Sequence, residues 1–259
     1  MGHVRLGALP KTRGWQNVVE LLAGGTDVAT LADATSRVAR AGLEVAKKDP
    51  GVIQSLLALA QLASSGKEDD VATSLRRHGI AIEGSPSLLA VTCALSAALD
   101  GRVQAHRTDV GEMAILAAVE SVSHVVGAHL PSLFDATPAD VRSALRGLST
   151  ERTFGVLVRT FFARFTARYL SYYLSRETSA HVGRGQRFAT LDDHSQFNAA
   201  LRLHCHEASR IVENFAGEWF SKARWQKDVS NRQTRAFSAV AFKKLAAELS
   251  KREGPTGGR

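Results

Sequence analysis

The segment LRLHCHEASR, residues 201–210, places His204, Cys205, His206 and Glu207 in consecutive positions. These residue types ligate metals, and a cysteine beside a histidine can serve as a nucleophile next to its base. Spacing argues against both within one helix. Residues at i and i+2 point about 200° apart, so His204 and His206 cannot clasp one ion. Helical metal pairs stand at i, i+3 or i, i+4. His194 shares the side of His204 but lies roughly 15 Å away along the axis. Neighbouring helix positions do not face each other, so a base for Cys205 would have to come from a different helix. The segment therefore predicts a buried thiol and a buried, hydrogen-bonded histidine, with no metal, cofactor or catalytic centre.

Two basic groups point instead to anion binding. The stretch ETSAHVGRGQRFATL, residues 177–191, reads as a long loop holding Gly183 and Gly185 beside Arg184, Gln186 and Arg187. Glycines let backbone N–H groups approach an anion, and arginines grip phosphate by two bonds. No Lys-Ser or Lys-Thr follows, so this is not a Walker loop. Asp192 and Asp193 at the next helix start would repel a phosphate there. The second group is Arg224, Lys227, Arg232 and Arg235, between the last two expected helices. Lys243, Lys244, Lys251 and Arg252 extend it, and Arg164 and Arg168 stand at i, i+4 earlier in the chain.

One catalytic pattern suits a helical chain. HEPN ribonucleases are helical bundles with an R-x4-6-H motif, and Arg176 with His181, or Arg187 with His194, resembles it. About 2.5 such matches arise by chance in this composition, so the spacing alone carries little. The resemblance implies Arg176 and His181 acting on an RNA backbone across a dimer interface. The patterns of nucleophile elbow, dinucleotide fingerprint, zinc cysteine pairs and EF-hand are absent.

The elements that must position these residues read as helices. Val28, Leu31, Thr35, Val38 and Val45 form one stripe, and Ile115, Val119, Val122 and Val126 another. Phe154, Val158, Phe161, Phe165, Tyr169 and Tyr172 line a helix over 150–175, more like a buried face than a base-stacking platform. Phe197, Leu201, His204, Ala208, Ile211, Phe215 and Trp219 trace a second helix from about Asp192. A third spans about 233–252. Ser65–Glu68, Thr137–Asp140 and Thr190–Asp193 have the spacing of helix caps. About seven helices are expected before residue 149 and three longer ones after it. The alternating GIAIEG, 79–84, has no evident strand partner.

The 259-residue chain carries a net charge of +8, unevenly placed. Residues 1–150 balance at −1 and residues 151–259 at +9. Of 17 aromatic residues, only Trp15 and Phe134 precede residue 151. This predicts an Ala/Leu-rich helical domain over 1–148, a basic aromatic helical domain over 149–253 and a disordered tail over 254–259. Two cysteines, no apparent signal segment and apolar runs too short for a bilayer suggest a reducing, cytoplasmic setting. The expected fold is mainly α, a multi-helix bundle or helical-hairpin array followed by a basic helical region. The expected role is an adaptor or complex subunit contacting nucleic acid or an acidic protein surface, without membrane insertion. The alternatives are the HEPN-like ribonuclease, which requires dimerisation, and a purely structural assembly subunit; under any of these roles the chain can be a homo-oligomer or a complex subunit.

Overall fold

The computed structural model describes residues 12–249, apart from residues 39, 85 and 132–135 and the side chains of residues 40–42 and 176. Phe134, Lys251, Arg252 and the tail over 254–259 lie outside the described residues. The fold is mainly α. Among the described residues there are twelve α-helices, two short 3-10 turns and no strand. The N-terminal part holds α1 (Arg13–Ala23), α2 (Val28–Val38), α3 (Arg40–Ala46), α4 (Pro50–Ser65), α5 (Val71–Arg77), α6 (Leu88–Val103), α7 (Asp109–Gly127) and α8 (Pro138–Gly147). The remainder holds α9 (Glu151–Thr178), α10 (Leu191–Ala208), α11 (Arg210–Trp225) and α12 (Asn231–Leu249).

Helix α9 is the centre. Phe154, Val158, Phe161, Phe165 and Tyr169 are buried, as their spacing predicts. Leu157, Phe162, Leu170 and Leu174 lie off that stripe and are buried too. A helix apolar around most of its circumference needs cover on several sides. α7, α10 and α11 supply most of it, with α2 and α4 filling in. Phe154 stacks on Phe220 of α11 with centroids 4.0 Å apart, and Phe162 meets Phe242 of α12 edge-on at 5.2 Å. The boundary expected near residue 149 falls between α8 and α9, and the buried residues on both sides belong to one continuous cluster.

Two glycine contacts set how closely helices approach. A Cβ on Gly155 would lie 2.5 Å from the Glu213 carbonyl oxygen, and one on Gly217 2.6 Å from that of Glu151. These reciprocal contacts bring α9 and α11 together antiparallel, backbone against backbone. Gly51 of α4 meets Gly111 of α7 in the same way, at 2.4 Å from a built Cβ to Cα. There Asp49 accepts the Gly51 N–H at 2.8 Å and the Thr108 hydroxyl at 2.7 Å, while Thr108 accepts the Gly111 N–H at 2.8 Å. One carboxylate thus caps α4 and orients the cap of α7.

Several expectations change. The stripe through Val28 and Leu31 ends with α2, and Val45 is 62% exposed on α3. Ser65–Glu68 caps no helix: α4 ends there, and Asp70 caps α5 by accepting the Thr73 N–H at 3.0 Å. The Thr137–Asp140 and Thr190–Asp193 capping boxes both form. GIAIEG, with Ile80 and Ile82 buried, forms no strand among the described residues. The helix expected over 192–219 divides at Ser209, whose hydroxyl bonds the Cys205 carbonyl at 2.7 Å. Back-bonding of this kind bends helices. The segments Leu88–His106 and Asp109–Gly127 are long and apolar enough to cross a membrane by length and composition, although shorter runs were expected from sequence. α7 packs here against α4, α6 and α9.

The glycine contacts predict opposite signs for one substitution. Gly155→Ala should destabilise the fold by roughly 1–3 kcal/mol through overpacking against a backbone carbonyl. Gly101→Ala, in α6 with open space around it, should stabilise by up to about 1 kcal/mol through helix propensity. Denaturant unfolding of both variants measures the contrast.

Candidate nucleic-acid interface

The corner between α11 and α12 gathers the second basic group. α11 closes with a Schellman motif: the Asp228 N–H donates to the Ala223 carbonyl at 2.9 Å and the Lys227 N–H to that of Arg224 at 3.0 Å. Lys227 occupies the left-handed position with φ 53°, where glycine is usual. Ser230 then opens α12 by accepting the Thr234 N–H at 2.9 Å on its carbonyl. The connection is short and internally bonded, so its cations are presented from a fixed frame.

Their roles differ. Arg224 is half-buried: it donates to the Ser149 carbonyl at 2.8 Å, and its guanidinium lies 5.6 Å from the Phe220 ring centroid. It ties the last turn of α11 to the turn before α9. Lys222, Lys227, Arg232 and Arg235 are exposed. Among the described residues, none of these four makes an ion pair within 4 Å. Asp228, which accepts from Gln233 at 3.1 Å, is the nearby acid; its pKa is held below the ordinary carboxylate value first by its bond with Ser230, then by Gln233 and the charge of Arg232.

Between these cations stands Trp225, 86% exposed. It falls at the end of α11, off the apolar stripe, where periodicity does not single it out. The adjacency of Lys222, Arg224, Trp225 and Lys227 was the available signal.

The glycine loop is arranged differently. α9 runs on to Thr178, and a 3-10 turn covers Ser179–His181. Gly183 donates to the Phe188 carbonyl at 2.8 Å, Phe188 to that of His181 at 3.0 Å, and Gln186 to that of Gly183 at 3.0 Å. Those N–H groups close the loop on itself rather than facing an anion. Arg187 donates to the carbonyls of Leu22 and Thr26, each at 2.6 Å, and its guanidinium lies 5.3 Å from the ring centroids of Phe188 and Phe197. It adds a donor to the Leu22 carbonyl at the end of α1 and reaches Thr26 just beyond that helix, and so pins the loop there. Burial lowers its pKa, with Asp27 acting in the opposite sense. Arg184 is exposed. The two basic groups sit at opposite ends of α9, a separation of roughly 40 Å for 28 residues.

In the opening segment, the buried face runs through Phe197, Leu201, Cys205 and Ala208. His204 is half-buried and lines a groove with Phe215 and Lys244, while His206 lines another with Arg202 and Arg168. The two histidines serve different faces of α10. Cys205 is fully buried, and burial pushes its thiol up to about 12. Of the two R-x4-6-H pairs, Arg187 is committed to carbonyls and His194 packs edge-on against Phe188 at 5.3 Å. The Arg176 side chain lies outside the described residues, so its pairing with His181 is not placed. Arg164 and Arg168 both pair with Glu120.

Compared with protein-family models, curated proteins and solved structures, the chain has no significant match in any of the three.

The roles of the arginines predict that Arg187→Ala lowers stability by about 1.5–3 kcal/mol, the range for charged hydrogen bonds. Arg184→Ala should change it by less than about 0.5 kcal/mol. Thiol titration should find one reactive group in the native protein, the exposed Cys93, and both after unfolding.

Proposed function

We propose that this chain is a helical interaction protein that binds single-stranded nucleic acid at the α11–α12 corner. Trp225 stacks on a base, and Lys222, Lys227, Arg232 and Arg235 meet the phosphates. The observation that carries this reading is Trp225 itself, 86% exposed among cations without ion pairs. An indole left in water contributes nothing of the burial that aromatic side chains usually supply. Set beside positive charge, it is the arrangement that sequence-tolerant single-strand binders use: stacking on one face and electrostatic attraction along the backbone.

Two local costs support the same reading. Lys227 holds a left-handed conformation that disfavours any residue with a Cβ, by about 1 kcal/mol. Arg232 lies in the first turn of α12, which has no acidic residue there, at the positive end of the helix dipole. The charge of Arg232 works against the fold where it stands and in favour of an anion beside it, whereas the cost at Lys227 is one of backbone conformation that sets where its side chain is presented.

Binding of fluorescently labelled single-stranded RNA and DNA across a salt series tests this. With four phosphate contacts, log K should fall against log[salt] with a slope of about −3. Trp225→Ala should weaken binding by about 1–3 kcal/mol without loss of fold. Lys227→Gly should have the opposite effects on the two properties: about 1 kcal/mol more stable, yet weaker in binding with a shallower salt slope. No binding at low salt, or unchanged affinity in Trp225→Ala, would overturn the proposal. RNA cleavage abolished by His181→Ala would point to the ribonuclease instead.

A further inference from the structure

A groove of about 630 Å³ lies between α7, α9 and α10, away from the α11–α12 corner. Its floor includes Ala163 and Ala167, one turn apart on α9 and both nearly buried. On the α7 side, Arg164 Nη1 donates to Glu120 Oε2 at 3.1 Å and Arg168 Nη2 donates to Glu120 Oε1. One carboxylate thus spans two guanidinium groups and fixes their spacing. Each arginine spends a single N–H on it and keeps further donors. The α10 side brings Arg202, which is exposed and makes no hydrogen bond or ion pair among the described residues, together with Leu203, 62% exposed. His206 stands at the same wall, its Nδ1 3.2 Å from Arg159 Nη2.

The charges here are not balanced. Three guanidinium groups, those of Arg164, Arg168 and Arg202, face the one carboxylate of Glu120, an excess of two positive charges among these four side chains. A phosphomonoester carries about −1.5 to −2 at neutral pH and presents several acceptor oxygens, which matches that excess; a carboxylate would neutralise only half of it. The alanine floor and Leu203 offer apolar contact to the rest of such a molecule, and the volume falls within the usual range for small-ligand sites. We propose that this groove binds a small phosphomonoester, with Arg164, Arg168 and Arg202 holding the phosphate and Glu120 acting as a positioning residue for the first two. A nucleic-acid chain also presents phosphates, as diesters with one charge each, and the experiment separates the two sources.

Arg202 is the informative position, because replacing it breaks no bond within the described fold, whereas replacing Arg164 or Arg168 would also release Glu120. Isothermal titration of the full chain should give phenyl phosphate a Kd below roughly 1 mM, and benzoate, with the same ring and one charge, at least about tenfold weaker affinity. Arg202→Gln should weaken phenyl phosphate about tenfold or more with an unchanged unfolding midpoint. Trp225→Ala should bind phenyl phosphate as the native chain does, which keeps this site's success or failure distinct from that of the corner. Equal affinity for the two probes, no heat at 10-fold above the expected Kd, or indifference to Arg202→Gln would overturn the proposal. So would a single-stranded oligonucleotide that competes with phenyl phosphate and loses affinity with Arg202→Gln, since the groove would then belong to a nucleic-acid path.

Discussion

The fold rests on covering α9. Its buried residues cover well over half of its circumference, from Phe154 through Leu174, and such a helix holds its shape only with neighbours on several sides. The tightest neighbour is α11, which approaches because Gly155 and Gly217 leave room for the carbonyls of Glu213 and Glu151. That register fixes where α11 ends. With Gly217 already beside Glu151, the first residue of α9, the last two turns of α11 run past the start of α9. Phe220 and Ala223 still find cover there, and Arg224 bonds the Ser149 carbonyl. Trp225, at the tip, is left in water. The exposure on which the functional proposal depends therefore follows from how the core is assembled.

Much of the helical plan was legible because local rules determine it. The aromatic stripe of α9, buried from Phe154 to Tyr169 with Tyr172 only half-buried, and the capping boxes at Thr137 and Thr190 depend on residues a few positions apart. What stayed illegible depends on distant partners. α10 and α11 together carry two adjacent apolar stripes. α9 takes the one through Cys205, Val212, Ala216 and Phe220, while Phe215 and Trp219 stack on Phe237 of α12 at 5.2 and 4.5 Å. Periodicity alone merges the two and sets His204 on the apolar stripe, whereas the buried face of α10 runs through Cys205. Arg187 is a similar case: its type suggests an anion, and only the fold brings it the carbonyls of Leu22 and Thr26.

The +9 balance of the second half is likewise an average over cations with different tasks. Arg159 bridges Glu207 and Glu213 at 3.2 and 2.9 Å, and so ties α9 to α10 and α11. Arg187 and Arg224 close backbone carbonyls at opposite ends of α9. These charges serve the fold. Lys222, Lys227, Arg232 and Arg235 at the corner, and Arg202 in the groove, have no such partner among the described residues. Their separation into two places suggests two anionic contacts rather than one continuous basic surface.

Stacking of Trp225 on a base can be read directly from its fluorescence. Trp15 is buried and Trp219 half-buried, so acrylamide quenching of the native chain should be dominated by Trp225. Saturating single-stranded oligonucleotide should quench that emission and shield the remainder from acrylamide, as stacking on a base requires. Oligonucleotide that binds while the emission and its acrylamide sensitivity stay unchanged would place the contact elsewhere and contradict the account.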